Sequence, residues 1–140
     1  DRPTLNRNTR LLIVIGAVLM AASSAYGFML PGETEGEYGD VTVKRARELI
    51  NEKPSMVILD VRTDGEFRDG HIEGAVNIPV NELEGRLGEL EKDDETLVYC
   101  RTGNRSGTAV GILKENGYEK IFHMNKGITA WTAAGYHTVK

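Results

Sequence analysis

The stretch that decides the fold is TLVYCRTGNRSGTAVGILKENGY, residues 96–118. It begins with an apolar run, Thr96–Cys100, that has the length and composition of a buried strand. A polar loop containing Gly103 follows, and a helical pattern then continues to a stop at Gly117. The stretch also contains the single cysteine of the chain, Cys100. A strand that passes through a glycine-containing loop into a helix is the repeating unit of a parallel α/β sheet.

The segments on either side repeat this alternation of strand and helix. Short apolar runs predict three further strands, MVILDV (56–61), AVNIPV (75–80) and KIFHM (120–124). Helical spacing predicts three further helices, VTVKRARELINEK (41–53) with Thr42 as its N-cap, ELEGRLGEL (82–90) with Asn81 as its N-cap, and ITAWTAAG (128–135). The order of these elements predicts an α/β fold in which helices cover both faces of a parallel sheet.

The first 30 residues form a separate segment, which is apolar and carries its charges at the ends. Leu11–Gly32 contain no charged residue, three arginines precede them, and three glutamates follow. A membrane-spanning helix needs about 20 apolar residues, and Leu11–Leu30 just supply them. The strongly apolar part covers only the first half, however, and AASSAYG after it offers cleavage sites behind Ser24 or Ala25. Both a signal peptide and an uncleaved membrane anchor therefore remain open.

Both interpretations put the rest of the chain on the same side of the membrane. Arginines before an apolar segment stay inside, so we expect an extracytoplasmic domain, either periplasmic or secreted, or else held at the membrane by the anchor. A buried core helix is a third interpretation, which the flanking charges disfavour. The acidic, glycine-rich residues 31–39 predict a flexible linker, and residues 40–140 remain as one monomeric, soluble domain.

Composition disfavours several kinds of partner and site. Residues 31–140 carry 14 basic and 20 acidic side chains, a net charge of −6 that disfavours nucleic acid as a partner. One cysteine permits neither an internal disulfide nor a multi-thiolate zinc site. The three histidines, His71, His123 and His137, are scattered without metal-ligand spacing, so we expect no metal.

Cys100 is the candidate nucleophile because it ends a strand, and ligands of parallel α/β sheets sit beyond the carboxyl ends of the strands. The partial positive charge of the following helix, the cations Arg101 and Arg105, and inward loop amides that Gly103 allows all favour thiolate over thiol. Such surroundings lower a cysteine pKa from about 8.5 into the ~3.5–7.5 range. Ser106 can cap the helix and donate to a bound anion. The alternative is an inert, buried cysteine between two solvated arginines.

Three segments resemble the single-domain rhodaneses. YCRTGNRS (99–106) is similar to their active-site loop, ILDVRTDGEFRDGHIEGAVNIP (58–79) to the signature earlier in the fold, and GITAWTAAGY (127–136) to the end of the domain. The resemblance runs from about Val41 to Tyr136. It implies a rhodanese-like fold and a sulfurtransferase of the thiosulfate sulfurtransferase type, which needs no metal or organic cofactor.

The resemblance also implies a role for each residue of the loop. Cys100 would take a sulfane sulfur from a small-molecule donor such as thiosulfate, hold it as a persulfide, and pass it to cyanide or a thiol acceptor. The substrate-binding residues would be those that cradle this group: Arg101, Thr102, Gly103, Asn104, Arg105 and Ser106. Asp60 ends its own strand and would support the loop from behind. Elsewhere in the signature we expect a structural ion pair between Arg62 and Glu66, and a loop anchor in His71.

Two features depart from the family pattern. The two-domain enzymes that prefer thiosulfate have a lysine where this chain has Thr102 and an arginine where it has Glu66. The absence of both weakens the case for thiosulfate as the physiological donor. The chain also has Asn125–Lys126 where a glycine often precedes Gly127, a change that we expect to touch the last turn but not the chemistry.

Two other functions compete with sulfur transfer. Cysteine phosphatases and arsenate reductases of this fold have five residues between the Cys and the Arg of the loop, whereas four separate Cys100 from Arg105. The shorter loop suits one added sulfur atom better than a phosphoryl group with three equatorial oxygens. The second alternative is a non-catalytic module that binds a partner or senses oxidants through Cys100. We favour the sulfurtransferase because the basic loop is complete.

Overall fold

The structure, a computed structural model, describes residues 38–140. The expected signal peptide or membrane anchor (1–30) and nearly all of the expected linker (31–39) lie outside the described residues, so both stay predictions. Within residues 38–140, no helix combines the length and the apolar character that crossing a lipid bilayer requires.

Strands and helices alternate along residues 38–140. The strands are β1 (Gly39–Val41), β2 (Val57–Asp60), β3 (Val76–Asn77), β4 (Thr96–Tyr99) and β5 (Ile121–Met124). The α-helices are α1 (Val43–Glu52), α2 (Asp64–Asp69), α3 (Val80–Leu83), α4 (Asn104–Glu115) and α5 (Gly127–Ala133), and a 3-10 helix spans Glu84–Glu89. Neighbouring strands pair in parallel in the order β1-β5-β4-β2-β3. The predicted parallel α/β sheet is confirmed.

Side chains on successive strand residues point to opposite faces of the sheet, and both faces are buried. In β4, Leu97 and Tyr99 pack in a cluster with Leu49 of α1 and Trp131 of α5. Cys100, after β4, faces the other way and packs in the cluster that contains residues of α3 and α4. The prediction that helices cover both faces is therefore confirmed.

Local signals predict some helix ends well and others poorly. Thr42 caps α1 as expected, because its hydroxyl accepts a hydrogen bond from the Arg45 N–H at 3.0 Å. The expected Asn81 cap is wrong: α3 already begins at Val80, after Pro79, and Asn81 lies inside the helix. The fixed φ of proline presets this helix start without a side-chain cap.

Two elements do not appear among the sequence predictions. The first is α2, which a capping box stabilises: the Thr63 hydroxyl accepts from the Glu66 N–H, and the Glu66 carboxylate accepts from the Thr63 N–H. The second is β1, a three-residue edge strand that pairs with β5. Both elements matter below, because α2 brings Glu66 to Arg105 and β1 brings Asp40 to His123 of β5.

Because the strands are parallel, their carboxyl ends meet at one edge of the sheet. β4 is the central strand, between β2 and β5. Cys100, which follows β4, therefore lies at this edge between Asp60, which ends β2, and Asn125, which follows β5. This edge is where ligands of parallel α/β sheets bind.

We expect Tyr99→Phe to lower the free energy of unfolding by about 1–3 kcal/mol. The Tyr99 hydroxyl is buried, accepts a hydrogen bond from the Ile72 N–H at 3.1 Å and lies against the Asp60 carboxylate. Removing it leaves a buried N–H without a partner. Urea unfolding measures the loss, with Tyr136→Phe as the matched control, because the Tyr136 hydroxyl has no hydrogen-bond partner among residues 38–140. Equal losses in both variants would contradict this role for Tyr99.

Candidate active site

Cys100 lies at the start of the loop that joins β4 to α4, as the sequence predicts. Its thiol is free and buried, with only 1% of the residue exposed. The Gly103 N–H donates a hydrogen bond to the Cys100 Sγ at 3.1 Å. Gly103 is also the N-cap residue of α4 and has a φ of 111°, which is accessible mainly to glycine. The loop therefore turns back so that the helix N-terminus and its N–H groups face the sulfur.

The surroundings of the sulfur lower the pKa of the Cys100 thiol below its ordinary value. Burial is the largest single effect and acts the other way, because it penalises the charged thiolate. The Ser106 hydroxyl and the N–H groups of Ser106, Gly103 and Thr102 together outweigh burial. The sequence predicts three contributions to this activation: the helix N-terminus, the cations Arg101 and Arg105, and inward loop amides. Of these, the hydrogen-bond donors of the loop are the ones that lower the pKa of Cys100.

Arg105 is held by a partner from outside the loop. Its Nη1 and Nη2 bind the two carboxylate oxygens of Glu66 at 2.6 and 2.9 Å. Hydrogen bonding to Arg105 is the main reason that the pKa of Glu66 falls to about 2. The expected ion pair between Arg62 and Glu66 is therefore wrong, because α2 turns Glu66 toward α4 instead. Because the Glu66 carboxylate offsets part of the positive charge of Arg105, only the remainder acts on the Cys100 sulfur.

Arg62 pairs with Asp60, two residues before it. The Arg62 Nε lies 3.1 Å from both Asp60 carboxylate oxygens, and its Nη2 lies 2.7 Å from one of them and 2.7 Å from the Gly70 carbonyl oxygen. Both side chains are buried. Asp60 is thus at the predicted edge of the sheet, and its carboxylate is engaged by Arg62 rather than by the loop after Cys100. The pair fixes the backbone between β2 and α2, from which Glu66 reaches the loop.

The turn between β5 and α5 packs directly on the loop. Ile128 and Thr129 donate their N–H groups to the carbonyl oxygens of Cys100 and Arg101 at 2.9 and 3.2 Å. A Cβ at Gly127 would overlap the Arg101 carbonyl, and a Cβ at Gly103 would overlap the Asn125 carbonyl. The backbone of this turn therefore forms one wall of the loop, and the expectation that the change at Asn125–Lys126 leaves the chemistry untouched stays a prediction.

The remaining predicted residues divide between the surface and the interior. Arg101, Thr102 and Asn104 are exposed, and Arg101 lines an open cavity of about 400 Å³ together with Thr129 and Thr132 of α5. His71 is the loop anchor that the sequence predicts, with its Nδ1 2.7 Å from the Phe67 carbonyl oxygen. Small ligands can therefore approach the loop from the side of Arg101.

Ser106 does not cap α4, contrary to the sequence prediction. It lies in the first turn of the helix, where its hydroxyl donates to the Gly103 carbonyl oxygen at 3.1 Å. The Ser106 Oγ also lies 2.7 Å from the Nε2 of His123, a residue that sequence analysis leaves without a role. The only sequence signal for His123 is that it interrupts an apolar strand. Glu66 had a clearer signal, since Thr63 and Glu66 have the spacing of a capping box.

Among residues 38–140, no group of three or more His, Cys, Asp or Glu side chains converges closely enough to hold a metal ion. The groups of the site that can take part in chemistry are therefore a buried thiol, N–H donors directed at it, and two arginines. One of these arginines is paired with Glu66, and the other is exposed beside a cavity.

Comparisons with known proteins point to one family. A family model described as "Rhodanese-like domain" matches residues 42–134. A sulfurtransferase of Allochromatium vinosum is 34% identical over 80 residues, which are 57% of this chain and 75% of that protein. A Bacillus subtilis protein named "Putative sulfur carrier protein YrkF" is 32% identical over 100 residues, which are 71% of this chain and 54% of that protein. The chain thus spans about half the length of that second relative.

A solved structure resembles the fold as well. The crystal structure of a rhodanese-related protein from Thermoplasma volcanium has a TM-score of 0.66 to this chain at 34% sequence identity. The match covers 73% of this chain and 98% of the other. The five-stranded parallel sheet and its helices are therefore of the rhodanese-like type.

We expect Gly103→Ala to raise the pKa of the Cys100 thiol. The added Cβ would meet the Asn125 carbonyl, and the positive φ is unfavourable for alanine, so the Gly103 N–H must move away from the sulfur. The pH dependence of iodoacetamide alkylation measures the shift. Gly111→Ala, at an open position on the same helix, is the matched control and should leave the midpoint unchanged. An unchanged midpoint in Gly103→Ala would mean that loop N–H groups do not activate Cys100.

We expect Glu66→Gln to lower stability near neutral pH but not in strong acid. The pKa of Glu66 is depressed in the folded state, from 4.5 to about 2. Its ionised form therefore contributes stability that is complete above the unfolded pKa and is lost as pH falls through the folded pKa. Urea unfolding across this range should show the two proteins converging toward pH 2. Glu119→Gln, at an exposed residue without an ion pair among residues 38–140, should show no such convergence. A difference that is independent of pH would contradict the assignment.

Proposed function

The chain belongs to the rhodanese-like domain family, and from this premise we propose that it is a sulfurtransferase that carries a sulfane sulfur on Cys100. The supporting observation is the environment of the Cys100 thiol. The thiol is buried at the end of β4, its pKa is lowered, and the N–H groups of the loop face it. A lowered pKa increases the fraction of the thiol that is present as thiolate, the nucleophilic form, at a given pH. The assigned activities of the two relatives, a sulfurtransferase and a sulfur carrier, agree with this proposal.

The first half of the reaction loads the cysteine. The Cys100 thiolate attacks the terminal sulfur of the donor, a new S–S bond forms, and the bond between this sulfur and the rest of the donor breaks. The leaving group takes the bonding electron pair; with thiosulfate it is sulfite. The product is a Cys100 persulfide, whose negative outer sulfur needs hydrogen-bond donors. We expect the loop amides that lower the pKa of the thiol to stabilise this outer sulfur as well.

The second half returns the enzyme to its starting state. An acceptor, cyanide or a thiolate, attacks the outer sulfur of the persulfide, and the S–S bond breaks with its electron pair on the Cys100 sulfur. The thiolate is a good leaving group because its pKa is lowered. Atoms and charges balance without a metal, an oxidant or a reductant, so the two halves form a complete double displacement.

The geometry favours a donor with a narrow end. Cys100 is almost fully buried, so only a terminal atom such as sulfur can reach it without rearranging the loop. The cavity of about 400 Å³ beside the exposed Arg101, which Glu66 and Asp69 also line, offers a place for the rest of a small donor or of the acceptor. Thiosulfate fits these limits, and so do persulfides of small thiols. Because Thr102 and Glu66 replace basic residues of thiosulfate-preferring enzymes, we propose a small persulfide as the better donor.

Phosphate ester hydrolysis is less well supported. A phosphoryl group would bring three charged oxygens, and four residues between Cys100 and Arg105 form a small ring for them. Arg105, which such a mechanism would need, is held by Glu66 at 2.6 and 2.9 Å.

We expect Cys100→Ser to abolish transfer of sulfur from thiosulfate or a small persulfide to cyanide while leaving the fold intact. The chain has a single cysteine, so no other thiol can replace it. Thiocyanate release measures activity, and mass spectrometry after donor treatment should show one added sulfur atom on the parent protein and none on the variant.

Donor and acceptor panels on the full chain complete this test. Parent protein alkylated at Cys100 before donor treatment is the control for sulfur bound elsewhere. If Cys100→Ser retains activity, or if the parent takes up no sulfur from any donor of the panel, the proposed sulfurtransferase is wrong. Hydrolysis of aryl phosphates faster than sulfur transfer would favour the phosphatase alternative instead.

A further inference from the structure

Three side chains form a hydrogen-bonded row that leads from the surface to the loop of Cys100. The Ser106 Oγ lies 2.7 Å from the His123 Nε2, and the His123 Nδ1 lies 3.1 Å from an oxygen of the Asp40 carboxylate. Ser106 and His123 are buried, whereas the Asp40 side chain is 68% exposed. The double displacement proposed above assigns no role to His123 or Asp40.

The register of the sheet places this row. Asp40 of β1 is the direct partner of His123 in β5, so both side chains lie on the same face. His123 in turn is the partner of Val98 in β4, two residues before Cys100. All of these side chains therefore lie on the face that α4 covers, and Ser106 of α4 packs onto it from above.

Counting protons shows that these contacts depend on the charge of His123. The Ser106 hydroxyl has one proton and three neighbouring acceptors: the Gly103 carbonyl at 3.1 Å, the His123 Nε2, and the Cys100 sulfur, whose pKa this hydroxyl lowers. A neutral His123 that donates its Nδ1–H to Asp40 has an unprotonated Nε2, which accepts the Ser106 proton. A protonated His123 donates from both nitrogens, so the Ser106 proton is directed into the loop, toward the Gly103 carbonyl and the Cys100 sulfur. Only the protonated imidazole allows all three hydrogen bonds at once: Asp40 with His123, His123 with Ser106, and Ser106 with the Gly103 carbonyl.

We propose that His123 is a positioning residue for Cys100, whose protonation state decides whether the Ser106 hydroxyl donates to the imidazole or is free to donate within the loop. The inference rests on the proposed function, because it concerns the same sulfur atom. With His123 protonated, the Ser106 proton is available to the Cys100 thiolate, which becomes better stabilised and less nucleophilic. With His123 neutral, the sulfur loses this donor and the thiolate becomes more reactive.

Charged groups from two elements act on the imidazole. Burial is the main cause that lowers the pKa of His123 below its ordinary value; Asp40 of β1 raises it, and Lys114 of α4 lowers it. β4, on the other side of β5, presents the uncharged Val98. Asp40 and Lys114 are both exposed, so each can be changed with little risk to the fold.

The test uses two surface substitutions that move His123 in opposite directions. Asp40→Asn should lower the pKa of His123, and Lys114→Gln should raise it; the NMR titration of the His123 ring proton measures both. Alkylation of Cys100 by iodoacetamide, in the full chain without any sulfur donor, should show an inflection at the pKa of His123 besides that of the thiol. This inflection should shift to lower pH in Asp40→Asn and to higher pH in Lys114→Gln.

Ser106→Ala separates a hydrogen-bond effect from a simple effect of charge. In this variant His123 should still titrate, but the corresponding inflection in the alkylation profile should be lost. The inference is overturned if the inflection persists in Ser106→Ala, if it stays in place while the His123 titration moves, or if His123 remains neutral wherever the protein is folded. Because alkylation requires no sulfur transfer, failure of the proposed enzymatic activity would leave these results interpretable by themselves.

Discussion

The parallel pairing of β4 with both of its neighbours determines where everything else in this protein can be. Three strands end side by side, so the segments that follow them must share one edge of the sheet. The segment after β4 takes the centre and carries Cys100. The segment after β2 brings Asp60 and, through α2, Glu66. The segment after β5 brings the turn at Asn125. The candidate site is thus assembled by strand order, before any specific side-chain contact is considered.

The charges at this edge are largely paired with one another. Asp60 engages Arg62, and Glu66 engages Arg105, so two of the arginines near the thiol are already matched by carboxylates. The thiolate depends instead on N–H groups, whose positions the fold determines. The fixed dipoles of these N–H groups suit a bound sulfur, which carries one negative charge on one atom. A site made for a phosphoryl group would need free cations to balance several charged oxygens. The electrostatics and the loop length therefore favour the same chemistry.

The parts that the sequence predicts are those with local signals. Strand β4, helix α4 and the position of Cys100 between them follow from one apolar run, a helical pattern, and the glycines Gly103 and Gly117, all within 23 residues. The sequence does not predict the partner of Glu66, because Arg105 lies 39 residues away and nothing near Glu66 indicates it. The expected pair with Arg62 does not form, because α2 begins only after Arg62 and directs Glu66 to Arg105. The contact of His123 is even harder to predict from sequence. Its partner Asp40 lies on a strand of three residues, which is too short to show an alternation of apolar and polar side chains.

The size of the loop is constrained from outside as well as from within. Gly103 faces the Asn125 carbonyl so closely that even one added carbon would overlap it, and Gly127 faces the Arg101 carbonyl in the same way. The N–H groups of Ile128 and Thr129 then bind the loop from the same side. A longer loop would have to displace this turn and break those hydrogen bonds, because the turn occupies the space in which the loop would expand. Loop length and the β5–α5 turn therefore form one structural unit. A change from sulfur to phosphoryl chemistry in this fold would require changes in both segments.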